Sequence, residues 1–370
     1  MRTRHIITIV CLTACTVQAG AQSLWSRFYH GWLTKPRNVD STYVYQQKMG
    51  FSPSLTGNFS RQSVLMTTTM DFLYNGDPYA KATYTDQMTE SISHRAGFLL
   101  NLGRLGAGWG FELAPDSSQH SSTFSFAFRG NKFGMNINYL DFRQKAIESS
   151  VWTPSEIFGD TVYYDTLNTG NRLRRLTIDG FYVFNTRRFA YPPGIAGNLI
   201  QLRSAGSWML AGRYMQSNLV MNPEYALANF GMAQLSLGCG YSYTWVPWSR
   251  APRAGGRKMQ SLFLNGTVVP MLTLFNHLTI EPNPELSAFM KHGKRSAFCW
   301  PTPNVMVNAT VGYSWSCFYL GAQFNYNIFH FNTRNTISFD ELYFPEDELS
   351  LGFMGVLYEW NIGLKFQACF

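Results

Sequence analysis

The stretch Gly355-Val-Leu-Tyr-Glu-Trp-Asn-Ile-Gly-Leu-Lys-Phe-Gln-Ala-Cys-Phe370 alternates between two kinds of side chain. One parity is apolar or aromatic: Val356, Tyr358, Trp360, Ile362, Leu364, Phe366, Ala368 and Phe370. The other is mostly polar or glycine, with Leu357 and Cys369 as exceptions: Glu359, Asn361, Gly363, Lys365 and Gln367. Successive side chains of a strand point to opposite faces, so one face suits lipid and the other suits water. This pattern predicts a strand of a transmembrane β-barrel.

The composition of the whole chain agrees with this interpretation. Of the 370 residues, 45% are hydrophobic and 16% aromatic, yet the chain contains no stretch of about 18 apolar residues that would span a membrane as a helix. The hydrophobic residues are instead spread one in two, as in Ala233–Trp245, which is typical of transmembrane β-barrels.

The alternation predicts an all-β fold, an antiparallel up-and-down barrel of twelve strands. The strands are expected at Gln62–Tyr74, Ser91–Leu102, Ala107–Leu113, Phe124–Arg129, Phe133–Tyr139, Arg174–Phe184, Arg203–Ser217, Met232–Val246, Met259–Leu274, Val305–Ser314, Phe318–Phe331 and Gly355–Phe370. An even number puts both chain termini on one side, which we expect to be the periplasm.

The connections between these strands differ in length. Three short turns fall on the side of the C terminus: Gly103–Gly106, Gly130–Asn131 and Ser314–Cys317. Four long segments fall on the other side and are expected to be outer loops: Asn75–Glu90, Ile147–Thr169, Phe275–Asn304 and Asn332–Phe353. Gly130-Asn131 predicts a two-residue hairpin loop that places Phe128 opposite Phe133. The connection Asn185–Leu202, with Tyr191-Pro-Pro193, is unusually long for a periplasmic turn.

The N-terminal residues predict export. Two arginines, a short apolar run from Ile6 to Ala14 and small residues near Ala19 and Ala21 indicate a signal peptide, residues 1–21. A competing interpretation makes Cys15 the lipid-bearing residue of a lipoprotein site. Residues 22–60 alternate poorly and are expected to form a periplasmic segment, followed by the barrel at 61–370. The remaining net charge of +6 predicts no nucleic-acid partner.

Polar residues on the inward parity of the predicted strands are candidates for lining the lumen. They are Arg95, Glu112, Arg129, Arg175, Asp179, Glu359, Asn361, Lys365 and Gln367. Such side chains form either a constriction that selects solutes by charge or a salt-bridged network that fills a narrow barrel. A barrel of twelve strands lies between the filled and the open classes, so both interpretations stay open.

Catalysis has weak support in the sequence. His120-Ser-Ser122 is similar to a His-x-Ser motif of lipid-hydrolysing barrels, but no third residue that would orient the imidazole can be identified. Hydrogen bonding at the membrane interface is the simpler interpretation. We therefore predict no enzyme activity, no cofactor and no metal ion.

Three stretches resemble one family. They are Phe128-Arg-Gly-Asn-Lys-Phe-Gly-Met-Asn-Ile-Asn-Tyr-Leu140, Phe184-Asn-Thr-Arg-Arg-Phe-Ala-Tyr-Pro-Pro193 and Arg203-Ser-Ala-Gly-Ser-Trp208. They look like a family of exported Bacteroidetes proteins known as domain of unknown function 4421, over about Asp40 to Phe370. The resemblance implies an outer-membrane barrel and supplies no activity or site. If the second stretch marks the family, its long connection is a candidate for a partial plug or a partner contact.

The sequence thus predicts an outer-membrane barrel that passes or binds a small solute or lipid. A structural barrel that displays its outer loops without transport is the alternative, and a lipid-modifying hydrolase is the third hypothesis. Expected partners are outer-membrane lipid and the barrel-assembly machinery, which would recognise the C-terminal strand ending at Phe370.

Overall fold

The structure, a computed structural model, describes residues 38–47, 50–75, 77–89, 92–113, 119–130, 132–153, 161–191, 199–220, 228–251, 259–282, 295–334, 337–340 and 347–369. The expected signal peptide and residues 22–37, 48 and 49 of the expected segment therefore lie outside the described residues, as does Phe370. In the described ranges the structure contains no helix long and apolar enough to cross a membrane.

Seventeen strands occur in these ranges. They are β1 Val44–Gln46, β2 Phe51–Tyr74, β3 Asp77–Thr89, β4 Ser93–Leu102, β5 Leu105–Glu112, β6 Gln119–Arg129, β7 Phe133–Thr153, β8 Thr161–Val183, β9 Leu199–Gln201, β10 Ala205–Val220, β11 Ala228–Arg250, β12 Gln260–Pro282, β13 Arg295–Phe298, β14 Pro303–Trp315, β15 Phe318–Asn332, β16 Ile337–Asp340 and β17 Asp347–Ala368.

Twelve of these strands close into one antiparallel barrel. Around the wall they follow the order β2, β4, β5, β6, β7, β8, β10, β11, β12, β14, β15 and β17. The ring closes where β17 pairs with β2, from Asp347↔Tyr74 to Gln367↔Ser54. Closure pairs the two edges that an open sheet would expose. The predicted twelve-stranded antiparallel barrel is confirmed.

The two ends of the barrel differ. We call one the turn end, because the short turns at Gly103–Arg104 and Ser316–Cys317 lie there together with the C-terminal end of β17. Gly103 and Ser316 adopt φ values of 58° and 55°, as tight turns require. We call the opposite one the extended end, because β2, β7, β8 and β17 all run on toward it.

The wall forks on the way to the extended end. β4 pairs with the first part of β2 (Phe51–Ser60), whereas β3 pairs with its second part (Ser63–Tyr74). β3 also pairs directly with β7 over Glu148–Trp152. The short β5–β6 hairpin is therefore part of the wall only near the turn end, and beyond it the ring contains two fewer strands.

Strands continue through much of the four segments that the sequence predicts as outer loops. β3 occupies most of the first, β7 and β8 extend into the second, and β12 and β17 extend into the third and fourth. The prediction of loops is wrong for these residues. Toward the extended end the inward side chains, among them Phe331, Leu351 and Phe353, are themselves buried and apolar. In this region the inward positions are not polar, so the sequence does not alternate although the strand continues.

The barrel also begins earlier than expected. β2 starts at Phe51, so the boundary placed between residues 60 and 61 is corrected by ten residues. Ser52 and Ser54 are buried on the inward face, whereas Phe51 and Leu55 are exposed on the outward face. Pro53 and Gly57 also occupy outward positions and hide the alternation in the sequence.

The hairpin between β6 and β7 has a different register from the predicted one. Arg129 pairs with Gly134 and Phe128 pairs with Met135, so Phe128 does not lie opposite Phe133. A longer loop replaces the expected two-residue one. Phe128 and Phe133 still share a face, with ring centroids 5.2 Å apart. The parity of the two strands is therefore as expected even though their register is not.

The outward face of the barrel is apolar and aromatic. Large side chains around the wall, such as Leu55, Trp208 and Leu320, are 58–66% exposed. A soluble protein rarely exposes a contiguous apolar surface of this extent. The outward face therefore matches the hydrocarbon layer of a membrane, as in other transmembrane barrels.

Candidate functional site

A small plug lies at the turn end of the lumen. Its described residues are 38–47, 185–191 and 199–204, and it contains the two-stranded sheet in which β1 pairs with β9, from Val44↔Gln201 to Gln46↔Leu199. Val44, Ala190 and Leu199 form one buried apolar cluster in it. Ile200 and Leu202 form a second cluster with Met259, which directly precedes β12 of the wall.

The Gln201 side chain holds the plug together. Its Nε2 group donates to the carbonyl oxygens of Arg188 at 2.7 Å, Arg203 at 2.8 Å and Tyr43 at 3.3 Å. Its Oε1 accepts the backbone N–H of Ala190 at 2.9 Å. Gln201 is 1% exposed, so these bonds satisfy backbone groups that water does not reach.

Hydrogen bonds also tie the plug to the barrel wall. The hydroxyl of Ser261 on β12 donates to the carbonyl oxygen of Gln201 at 2.6 Å. The hydroxyl of Ser249 on β11 donates to the carbonyl oxygen of Leu202 at 2.6 Å. The Gln47 side chain donates to the carbonyl oxygen of Ser316 in the β14–β15 turn. The plug is thus anchored to one side of the wall, on the neighbouring strands β11 and β12 and the β14–β15 turn.

Replacing Gln201 by alanine is expected to loosen the plug without unfolding the barrel. The change removes four hydrogen bonds and leaves buried carbonyl groups without donors, a cost of about 2–4 kcal/mol. Faster hydrogen exchange at Ala190 and earlier proteolysis within residues 185–204 would report it. Arg187→Ala, at an exposed site on the same connection, is the matched control and should leave both unchanged.

Tyr191 is the residue of the plug that lies inside the lumen. Its ring packs edge-on against Phe181 of β8, with centroids 4.9 Å apart. Its hydroxyl hydrogen-bonds with Thr267 of β12 and Asn308 of β14, and burial raises the pKa of Tyr191 to about 12. The phenol is therefore neutral at physiological pH. It reaches the buried cluster formed by Met209, Ala211, Val269 and Met271.

A charged layer crosses the lumen next to Tyr191, and Arg213 of β10 is its centre. Arg213 is paired with Asp179 of β8 through Nε. Its Nη1 donates to Oδ1 of Asn327 on β15 at 2.8 Å, and its Nη2 lies 3.5 Å from Sδ of Met306 on β14. Its guanidinium also lies 5.4 Å from the ring centroid of Phe329. One side chain thus links four strands of the wall.

A second ion pair belongs to the same layer. Nη2 of Arg175 on β8 lies 2.5 Å from Oε1 of Glu359 on β17, and both side chains are largely buried. With its amide oriented to accept, the oxygen of Gln62 on β2 lies 3.2 Å from the same nitrogen. The pair therefore connects opposite parts of the wall.

A cavity of about 450 Å³ surrounds this layer. Four cationic and two anionic side chains line it, a net formal charge of +2: Arg95, Arg175, Arg213, Lys365, Asp179 and Glu359. Neutral amides line it from five strands: Asn58, Asn136, Asn138, Asn308, Gln323, Asn325, Asn327 and Asn361. The apolar part of its wall includes Met209, Met271, Met306, Phe181 and Tyr191.

The structure brings six of the nine candidate residues to this cavity and places three elsewhere on the inward face. Glu112 accepts hydrogen bonds from the Ser121 hydroxyl and from the His94 backbone at 3.1 Å. Arg129 donates to Oδ1 of Asn101 at 2.6 Å. Gln367 donates to the Ser52 hydroxyl at 3.2 Å. These three are engaged in contacts between strands of the wall.

Sequence reasoning missed two residues that shape the cavity. Arg213 lies on an inward parity that reads Ser207, Met209, Ala211 and Met215, so no polar stripe marks it. Tyr191 lies in a connection with no periodicity. The unusual length of that connection was the available signal, and it indicated a plug without indicating which side chain enters the lumen.

The residues considered for hydrolysis are not assembled into a catalytic group. His120 and Ser122 lie on the outward face of β6, and no hydrogen bond joins them in the part of the chain that the structure describes. Among the described residues, no group of three or more His, Cys, Asp or Glu side chains could hold a metal ion.

Several solved outer-membrane proteins show a low structural similarity to this chain. OprG of Pseudomonas aeruginosa is 10% identical, with a TM-score of 0.30, 87% of this chain and 98% of that chain covered. The OmpT loop-deletion mutant of Vibrio cholerae is 8% identical, with a TM-score of 0.30 and coverage of 82% and 99%. A FadL homologue of Pseudomonas aeruginosa is 10% identical, with a TM-score of 0.24 and coverage of 91% and 95%. At this level the similarities say nothing about function.

A comparison of the sequence with protein families identifies the family of this chain. Among curated proteins, no sequence matches this chain. The family described as domain of unknown function (DUF4421) matches residues 105–354, which include β5 to β16 and the whole connection between β8 and β10. The match covers more than half of the chain and agrees with the resemblance stated above. The protein, an all-β barrel of the outer-membrane type, belongs to the DUF4421 family.

Proposed function

We propose that this barrel binds a small solute in its lumen and releases it when the plug moves. The observation that carries the proposal is the cavity of about 450 Å³ that the charged layer and Tyr191 of the plug line together. Its volume falls within the range of about 300–1,000 Å³ that is usual for small-molecule sites. A plug across the turn end argues against free diffusion, so binding precedes any passage.

The orientation and partners belong to the same proposal. The turn end faces the periplasm, because short turns are usual on that side of bacterial barrels. Both termini then lie in the periplasm, outer-membrane lipid surrounds the apolar face, and the assembly machinery recognises the C-terminal strand. The barrel acts in binding and passage and has no catalytic role.

Filling the cavity is the direct test. Ala211 lines it on the inward face of β10, so Ala211→Trp is expected to place an indole ring in the space where the solute binds. Liposomes containing the wild-type protein should take up or retain small organic solutes, and the variant should lose at least about nine-tenths of this activity. Leu210→Trp, on the neighbouring lipid-facing position, is the matched control and should behave as wild type.

The two other hypotheses predict different results. A barrel that only displays its outer loops would show neither uptake nor retention in wild type, and this result would contradict the proposal. A lipid hydrolase would release fatty acid from outer-membrane lipid, and His120→Ala would abolish the release. This third hypothesis has the least support, because no hydrogen bond joins His120 to Ser122 in the described part of the chain.

A further inference from the structure

The cavity has a cationic side and an apolar side that meet at one contact. Nη2 of Arg213 lies 3.5 Å from Sδ of Met306, so the charged layer directly adjoins the apolar wall. Met306, Phe181 and Tyr191 are partly buried there, and they pack against the buried pair Met209 and Met271. We call these five residues the methionine pocket.

The cationic side has capacity to bind an anion. Arg213 makes one hydrogen bond from each of its three nitrogens, so one N–H of Nη1 and one of Nη2 have no acceptor among the described residues. Arg95 and Lys365 line the same cavity, and its cationic side chains exceed its anionic ones by two. An anionic group there would gain charge-assisted hydrogen bonds, which are stronger than neutral ones.

The methionine pocket suits an apolar chain. Methionine side chains are unbranched and flexible, so they can rearrange around ligands of irregular shape. Phe181 and the ring of Tyr191 add flat apolar surface next to them. Met209 and Met271 are almost fully buried and support this surface from behind, whereas Met306, Phe181 and Tyr191 are partly exposed and can contact the chain directly.

We infer that the lumen cavity takes a single-chain organic anion, with its carboxylate or phosphate at Arg213 and its apolar chain in the methionine pocket. The inference rests on the proposed function and narrows it to one ligand class. A cavity of about 450 Å³ lies in the lower part of the usual range for ligand pockets, which favours one short chain over a two-chain lipid. The amides around the cavity supply further hydrogen bonds to the head group.

The test uses the full chain in lipid nanodiscs and three probes: hexyl phosphate, hexyl glucoside and inorganic phosphate. Titration calorimetry should show hexyl phosphate binding at least about tenfold more tightly than either of the others, because it alone satisfies both sides of the cavity. Tighter binding of hexyl glucoside would overturn the anion assignment and leave lumen binding intact. Binding of none of the three, together with no uptake in liposomes, would overturn both proposals.

Variants separate the two halves of the site. Met306→Thr should weaken hexyl phosphate about tenfold and leave inorganic phosphate unchanged, whereas Met354→Thr on the lipid-facing side should change neither. Arg213→Gln is paired with Asp179→Asn in one double variant, so that no carboxylate is left without its partner. This double variant should remove the preference for hexyl phosphate over hexyl glucoside. An unchanged preference would contradict the assignment of Arg213.

Long-chain lipid is the other source of the same head-group chemistry. A single-chain lipid phosphate in the nanodisc membrane should compete with hexyl phosphate only if lipid can enter the cavity from the membrane. Loss of hexyl phosphate binding in these nanodiscs would assign the site to a lipid, and the proposed soluble ligand would be wrong.

Discussion

Glu359→Gln is expected to destabilise the barrel by about 3–5 kcal/mol, because it leaves the largely buried guanidinium of Arg175 without its carboxylate. The midpoint of urea unfolding in lipid vesicles, followed by tryptophan fluorescence, would measure the loss. Glu281→Gln, at an exposed position of β12, is the matched control and should change the free energy of unfolding by less than about 0.5 kcal/mol.

Removing the cation of the pair, in Arg175→Gln, should destabilise the barrel less than Glu359→Gln does. Arg213 and Arg95 also act electrostatically on Glu359, so Arg175→Gln leaves this carboxylate with other cations nearby. The double variant Arg175→Gln/Glu359→Gln removes both charges and should recover most of the stability lost in Glu359→Gln. If the double variant is as unstable as Glu359→Gln, the two side chains do not act as an ion pair that stabilises the barrel.

Most of the barrel wall could be predicted because water and lipid impose opposite chemistry on alternate residues. Gly355–Phe370 and Met232–Val246 follow this rule closely, and both lie in barrel strands. The rule fails where one side is no longer water or lipid. Toward the extended end of β17, Leu351 and Phe353 pack inward, so this part of the strand lacks a polar stripe and looks like a loop.

The candidate site was less predictable for the same reason. The inward face of β10 is apolar around Arg213 because it faces the methionine pocket and the plug instead of water. Arg175 and Glu359 were identifiable as inward polar residues, yet their pairing depends on the curvature that brings β8 and β17 to opposite sides of one lumen. Periodicity within a strand contains no information on which residues meet across the barrel.

The plug offers the test with the largest effect on transport. β8 and β10 already pair beside it, with Val183 opposite Met209, so the connection between them is not needed to hold the wall together. Replacing residues 186–204 by Asn-Gly, a sequence that favours a tight hairpin turn, would remove Tyr191, β9 and the partner of β1 in one step.

We expect this variant to fold and to conduct. Residues 38–47 remain in this variant, but β1 has lost its partner strand. A barrel of twelve strands has a lumen larger than that of the side-chain-filled barrels of about eight strands. In planar bilayers the variant should give stable conductance steps, with a mean conductance at least about tenfold that of wild type, and the excess of cationic side chains should make the steps anion-selective. Gln201→Ala should give intermediate, flickering openings, because it loosens the plug without removing it. Bilayers that stay silent with a correctly folded variant would mean that the charged layer itself seals the lumen. Movement of the plug would then be insufficient to release a bound solute.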